Sequence, residues 1–294
     1  MRARHGFTLV ELLIVMVLFL IVSGATFSLL TNTQRVSRAQ AERTDMQTNM
    51  RAGALIVPAE LRTIGYDRDV TGTGNAAGTV MSDILGMAAD SIAFRAVRSS
   101  GIICNTAANS YVIDNGGAGF YTGYRAPVPG RDTLMVFGEM NPSVTGDDAW
   151  FRKRITASAA GVCAAAYGSR VGTALTTVDA VPGDSITLGA PFHTFEVMSY
   201  KLIQGADNRW YLNARSLSGG EAYQPMLGPL APNGFRLDYF DVNGNVTAVP
   251  RDVRTIRVTL IGQSTNRVSS MGSSNQQLAV DSVVTRVALR NAMR

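Results

Sequence analysis

One carboxylate, Glu11, lies inside an otherwise apolar run, Phe7 to Leu30, that reads FTLVELLIVMVLFLIVSGATFSLL. A charge in the middle of a membrane-crossing helix costs about 2.5–3.5 kcal/mol on insertion scales, so such a residue is expected to have a partner and a task. No Lys, Arg or His follows within the run, which removes the i+3 and i+4 pairs that could neutralise it within its own helix. The counter-charge has to come from elsewhere.

The other residues capable of chemistry are few. The chain has two histidines, His5 and His193. No base, nucleophile or metal constellation forms around His193, which stands just before a predicted strand and is expected to be a hydrogen-bonded structural residue. No phosphate-binding glycine motif appears, so neither an enzyme nor a cofactor is expected. Cys104 and Cys163 match no metal-ligand spacing. In an oxidising compartment they could form a disulfide, and two separate buried thiols are the alternative. Asp238, Asp241, Asn243 and Asn245 offer oxygen ligands for calcium, yet no carboxylate closes the loop as in an EF-hand. A tight type I′ hairpin turn on Asn243-Gly244 is the expectation there, with calcium as the alternative and no other metal. Trp150-Phe151-Arg152-Lys153-Arg154 puts cations beside aromatics, a pattern that a nucleic-acid surface and a solvated strand face share. The formal net charge of +5 is too small an excess to point to nucleic acid.

The apolar run is 24 residues long, about 36 Å as a helix, enough to cross a bilayer. Arg2, Arg4 and His5 precede it. The positive-inside rule then keeps the N-terminus in the cytoplasm and sends the C-terminal bulk across the membrane. A secretory signal cleaved near Ser23-Gly24-Ala25 or a plain anchor would use the same run. Both leave Glu11 unexplained.

Gly6-Phe7-Thr8-Leu9-Val10-Glu11 after a short basic leader resembles the prepilin signal of type IV pilins and type II secretion pseudopilins. The resemblance implies cleavage between Gly6 and Phe7 by a prepilin peptidase, N-methylation of Phe7, and filament assembly through Glu11. After such a cut Glu11 is the fifth residue, and the new α-amino group of one subunit can pair with Glu11 of a neighbour. The implied partners are other pilin or pseudopilin subunits, the peptidase and, indirectly, an assembly platform and ATPase. The implied location is the inner membrane, single-pass, and then the pilus or pseudopilus.

Beyond Thr31, apolar or small residues recur at Val36, Ala39, Met46, Met50, Ala54, Val57, Leu61 and Ile64, which is helical spacing. The expectation is one long helix over 7–66, with its transmembrane segment at 7–30 after a leader at 1–6, kinked near Ala54 by Gly53 and Pro58. Residues 67–294 read as a β-rich domain. Its candidate strands are Ser91 to Val97, Thr133 to Phe137, Phe151 to Thr156, Phe195 to Leu202, Arg209 to Ala214, Phe235 to Asp241, Val253 to Ile261 and Ser282 to Leu289. Glycine-rich stretches at 65–78, 104–123 and 157–172 read as surface loops. The fold class is α+β, with the long helix packed on an antiparallel β-rich domain. The hairpin-like segment, Val253 to Leu260 and the final Val284 to Asn291 resemble the ending of the type IV pilus assembly protein W family. J-type minor pseudopilins share the size and strand-rich body. Size and resemblance together suggest a low-abundance minor subunit that helps initiate a filament, and a filament-displayed adhesin or DNA-uptake module is the alternative.

Overall fold

The computed structural model describes residues 8–64, 82–114, 121–123, 125–139, 143, 149–180, 186–269 and 276–289. The predicted leader, the Gly6–Phe7 bond and the glycine-rich stretch at 65–78 lie outside these residues.

A single α-helix, α1, runs from Leu9 to Leu61, 53 residues. Thr8 caps its start, and the hydroxyl of Thr26, within the apolar run, donates to Val22 O at 2.8 Å, as that of Thr33, just beyond it, does to Leu29 O at 2.8 Å. Such back-bonding satisfies a polar group where no water need be present. The helix runs unbroken through Gly53 and Pro58. Pro58 lies in the last turn, so its missing N–H costs one bond close to where the helix ends. Gly53 is a contact point: a Cβ there would stand 2.3 Å from Leu227 Cδ2 and 3.0 Å from Leu260 Cδ1. The helix ends at Leu61, short of the expected residue 66, in a turn through Ile64.

The β-rich part contains β1 (Ile84–Met87), β2 (Ser91–Ala107), β3 (Ser110–Asp114), β4 (Tyr121–Gly123), β5 (Thr133–Gly138), β6 (Ala149–Val162), β7 (Val171–Thr177), β8 (Pro191–Gln204), β9 (Trp210–Ser216), β10 (Gln224–Phe240), β11 (Thr255–Ser269) and β12 (Gln276–Ala288). All pairings are antiparallel. Two bodies share β2 and β8. In one, β1-β2-β8-β9-β10-β11-β12 form an open sheet. In the other, β2-β3-β7-β6-β5-β8 return to β2 and close a six-stranded ring. Closure removes free edges from that half.

The second half of α1 lies on the open sheet. Met46, Met50, Val57, Leu61 and Ile64 are buried against Phe94, Leu212, Leu230, Phe235, Ile256 and Leu260. Burying each such side chain contributes about 1.5–3 kcal/mol. The ring encloses a second core of Ile103, Ile113, Leu134, Val136, Ile155, Leu175 and Phe192.

Where surface loops were expected, residues 104–107, 110–114 and 121–123 of the first stretch and 157–162 and 171–172 of the second are strand, the second with a 3-10 turn at Ala165–Tyr167 between. Their small residues permit close pairing. A Cβ at Gly172 would meet Ile113 O at 2.4 Å, and one at Gly161 would meet Ala174 Cβ at 3.0 Å.

Candidate functional site

Glu11 sits in the first turn of α1 and folds back on the residue that caps the helix. Its Oε2 accepts the Thr8 N–H at 3.0 Å and the Thr8 hydroxyl at 2.9 Å, while the Glu11 N–H donates to Thr8 Oγ1 at 3.3 Å. This reciprocal capping box satisfies two of the orphan donors at a helix start and sets a negative charge at the positive end of the helix dipole. Both bonds to the carboxylate end on Oε2, so Oε1 has no hydrogen-bond partner among the described residues.

The apolar residues around it are equally unengaged. Every large apolar side chain from Leu9 to Leu30 is at least half exposed. This one helix is long and apolar enough to cross a membrane, and none of its apolar window is buried.

The domain grips the helix further along. Between Gln263 and Arg267 β11 bulges away from β12, and the extruded turn aims the Thr265 and Asn266 N–H groups at Glu42, at 3.0 and 3.1 Å. Desolvation raises the Glu42 pKa, but the Asn266 side chain and these amides outweigh it and hold the carboxyl below its usual value. At the other end Glu60, in the last turn where the helix dipole disfavours an acid, receives Arg98 Nη1 on both oxygens at 3.0 and 2.9 Å. Arg98 Nε also reaches Glu196 at 2.8 Å.

Glu196 gathers Arg98, Arg125 and Arg131, while Arg125 also binds Asp132 and Arg131 binds Glu221. Burial pushes the Glu196 pKa up, but Ser216, Arg98 and Arg131 overcome that and bring it to about 2. This network was not foreseen. Its members are scattered from residue 60 to residue 221, and no spacing links them.

The remaining predicted residues fall elsewhere. Cys104 and Cys163 are joined in a disulfide, packed with Val112 on the face of β2 and β3 turned away from the ring core. His193 is buried and stacked on Trp150, with ring centroids 5.2 Å apart, and desolvation lowers its pKa to about 4. Along β6 Phe151 is buried in the ring core and Lys153 pairs with Asp179 at 3.3 Å. Strand alternation puts Trp150, Arg152 and Arg154 on the opposite face. At the predicted turn only Gly244 has positive φ, which corrects the type I′ expectation. The Gly244 N–H donates to Asp241 O and the Asp241 N–H to Asn245 O, a three-residue loop closed by a left-handed glycine. Asp241 Oδ1 accepts the Asn243 and Asn245 N–H groups, and Asp238 is engaged by Arg257 and Arg236, so both acids already serve the hairpin. Among the described residues no cluster of three or more His, Cys, Asp or Glu could hold a metal.

Residues 1–27 match the family model described as the prokaryotic N-terminal methylation motif. No curated protein and no solved structure matches the chain. The motif and the uncovered apolar helix together fit a membrane-anchored, type IV pilin-like protein.

Proposed function

We propose that this chain, which carries the N-terminal methylation motif of type IV pilins and pseudopilins, is a minor subunit that helps initiate assembly of a type IV pilus or a type II secretion pseudopilus. Its role is structural. A prepilin peptidase cuts between Gly6 and Phe7, Phe7 is N-methylated, and the helix stays in the inner membrane with the β-rich domain outside the cytoplasm until the subunit is built into a filament. The observation that carries this is Glu11: a carboxylate at the start of an apolar helix that no described residue covers, with one oxygen left unbonded among the described residues. The charged amine of a neighbouring subunit completes it. A subunit at the extreme tip has no neighbour ahead to receive the carboxylate, so Glu11 implies at least one subunit above this one. W-type pilins and J-type pseudopilins are the subfamilies its C-terminal strands and size resemble.

N-terminal mass analysis of material recovered from cells tests cleavage and methylation together. The expected mass is that of a chain beginning with methylated Phe7. A chain still beginning at Met1, or one starting after residue 25, removes the filament role.

A second function, display of a binding module, is favoured by Trp150 and the exposed Arg154 sharing one face of β6. Salt-dependent retention of DNA by the purified protein checks it. No retention at low salt disposes of DNA as the ligand.

A further inference from the structure

The open sheet ends on β12, which pairs with β11 along one edge and with no strand along the other among the described residues. Terminal strands of stable domains are usually short, bulged or guarded by Lys or Pro, because a bare row of N–H and C=O groups invites another strand. The opposite end of the sheet follows that rule: β1 has 4 residues and a register shift. By contrast β12 has 13 residues, QQLAVDSVVTRVA, without Gly, Pro or Lys, and its pairing with β11 is interrupted only by extra residues on the β11 side.

On the face away from α1, Leu278, Val280 and Val284 are 38%, 56% and 58% exposed. Arg286 continues that row and stands directly opposite Arg257. Arg257 is engaged by Asp238 at 2.9 Å, whereas no carboxylate lies within ion-pair distance of Arg286 among the described residues. Like charges facing each other across a ladder are unfavourable, and an acid on a further strand would relieve them.

The direction of β12 restricts what can add to it. Glu42 meets Thr265 and Asn266, Met50 lies against Gly262, and Gly53 lies against Leu260. Helix α1 therefore runs antiparallel to β11 and parallel to β12. Antiparallel pairing of two copies through β12 would place a two-fold axis across the sheet and reverse one helix, and both apolar helices could not then enter one membrane from the same side. A two-fold along the strands would leave the pleats of the two edges out of phase. A second copy is thus disfavoured on the membrane-anchored reading, whereas the peptide measurements below do not depend on that reading.

We propose that the free edge of β12 takes an extended segment of a different protein as the next strand of this sheet, with apolar residues beside Val280 and Val284 and an acidic residue beside Arg286. Main-chain bonds supply the affinity and the alternate side chains the choice of segment.

The test uses the full-length chain in detergent micelles and a short fluorescein-labelled peptide of alternating Val and Thr with Glu near either end, so that one acid faces Arg286 whichever way the strand runs. A matched peptide carries Lys in place of Glu. The Glu peptide should bind about tenfold more tightly than the Lys peptide, Arg286→Glu should reverse the order, and Val284→Pro should abolish binding of both. Arg286→Glu replaces a like-charge pair by an opposite one, so folding should survive it, and an unchanged melting temperature verifies this. Absence of binding, equal binding of the two peptides, or an order that Arg286→Glu leaves unaltered overturns the proposal. So does a disulfide-linked pair of copies formed through Ser282→Cys in membranes, since that shows self-pairing.

Discussion

Glu11 bonds to Thr8 as a helix cap and, on the proposed function, carries a charge for another subunit. The two roles separate on substitution. Glu11→Gln keeps a side chain able to accept the Thr8 N–H, as capping boxes allow, but removes the charge, whereas Glu11→Ala removes both. Both variants should still insert in the membrane, since neither adds a charge to the apolar helix. Incorporation into sheared filaments should fall to background for both. If Glu11→Gln assembles as wild type does, the residue acts as a cap and the pairing with an amine is wrong. Glu11 was legible in the sequence because a charge among apolar residues violates a simple rule. Glu196 was not: its environment is made by Arg98, Arg125 and Arg131, which only the folded chain brings together. The near-absence of Lys, present only at 153 and 201, carried no functional message by itself, yet these contacts use the planar fork that Arg supplies and Lys lacks.

At the level of elements, the apolar spacing of α1 located Met46, Met50, Val57, Leu61 and Ile64 correctly as a packed stripe. The same periodicity continues back to Val36, which is 49% exposed. Periodicity reports which face a helix could bury, and it is silent on where the covering sheet stops. Each of the eight expected strands lies within or overlaps an observed one. β1, β3, β4 and β7 escaped notice because they are short or built of small residues whose alternation is faint. The disulfide belongs to this scale, since it ties β2 to the end of β6 across a sequence separation of 59 residues. Loop-closure entropy for such a span gives about 4 kcal/mol, and measured losses run at about 2–5 kcal/mol. Cys104→Ser with Cys163→Ser should lower the stability of the oxidised protein by that amount in denaturant titration, and a reducing agent should lower the wild type but leave the double variant unchanged.

The whole molecule is two cores meeting on shared strands, with the Glu196 cluster between the ring interior and the sheet that receives α1. That junction makes the fold acid-sensitive with a definite sign. Glu196 is held at about pKa 2 against an ordinary 4.5, so its contribution is complete above pH 4.5 and disappears as the pH falls toward 2. His193 is held at about 4 against 6.5, so the unfolded chain binds a proton that the folded one refuses, and stability declines as the pH falls from 6.5 to 4. Melting temperature should therefore be level above pH 6.5 and fall in two stages below it. His193→Gln should flatten the upper stage, and a melting temperature constant from pH 7 to 4 would refute the assignment. Neither the closed ring nor its junction could be read from the sequence, because strand order is set by pairings between distant segments. The place where the sheet takes hold of α1 also fixes a length. The apolar run ends at Leu30 and the first clamp is at Glu42, leaving residues 31–41 as bare helix, about 16 Å at 1.5 Å per residue. On the membrane-anchored reading proposed above, such a stalk would hold the folded head about three helical turns beyond the end of the apolar run.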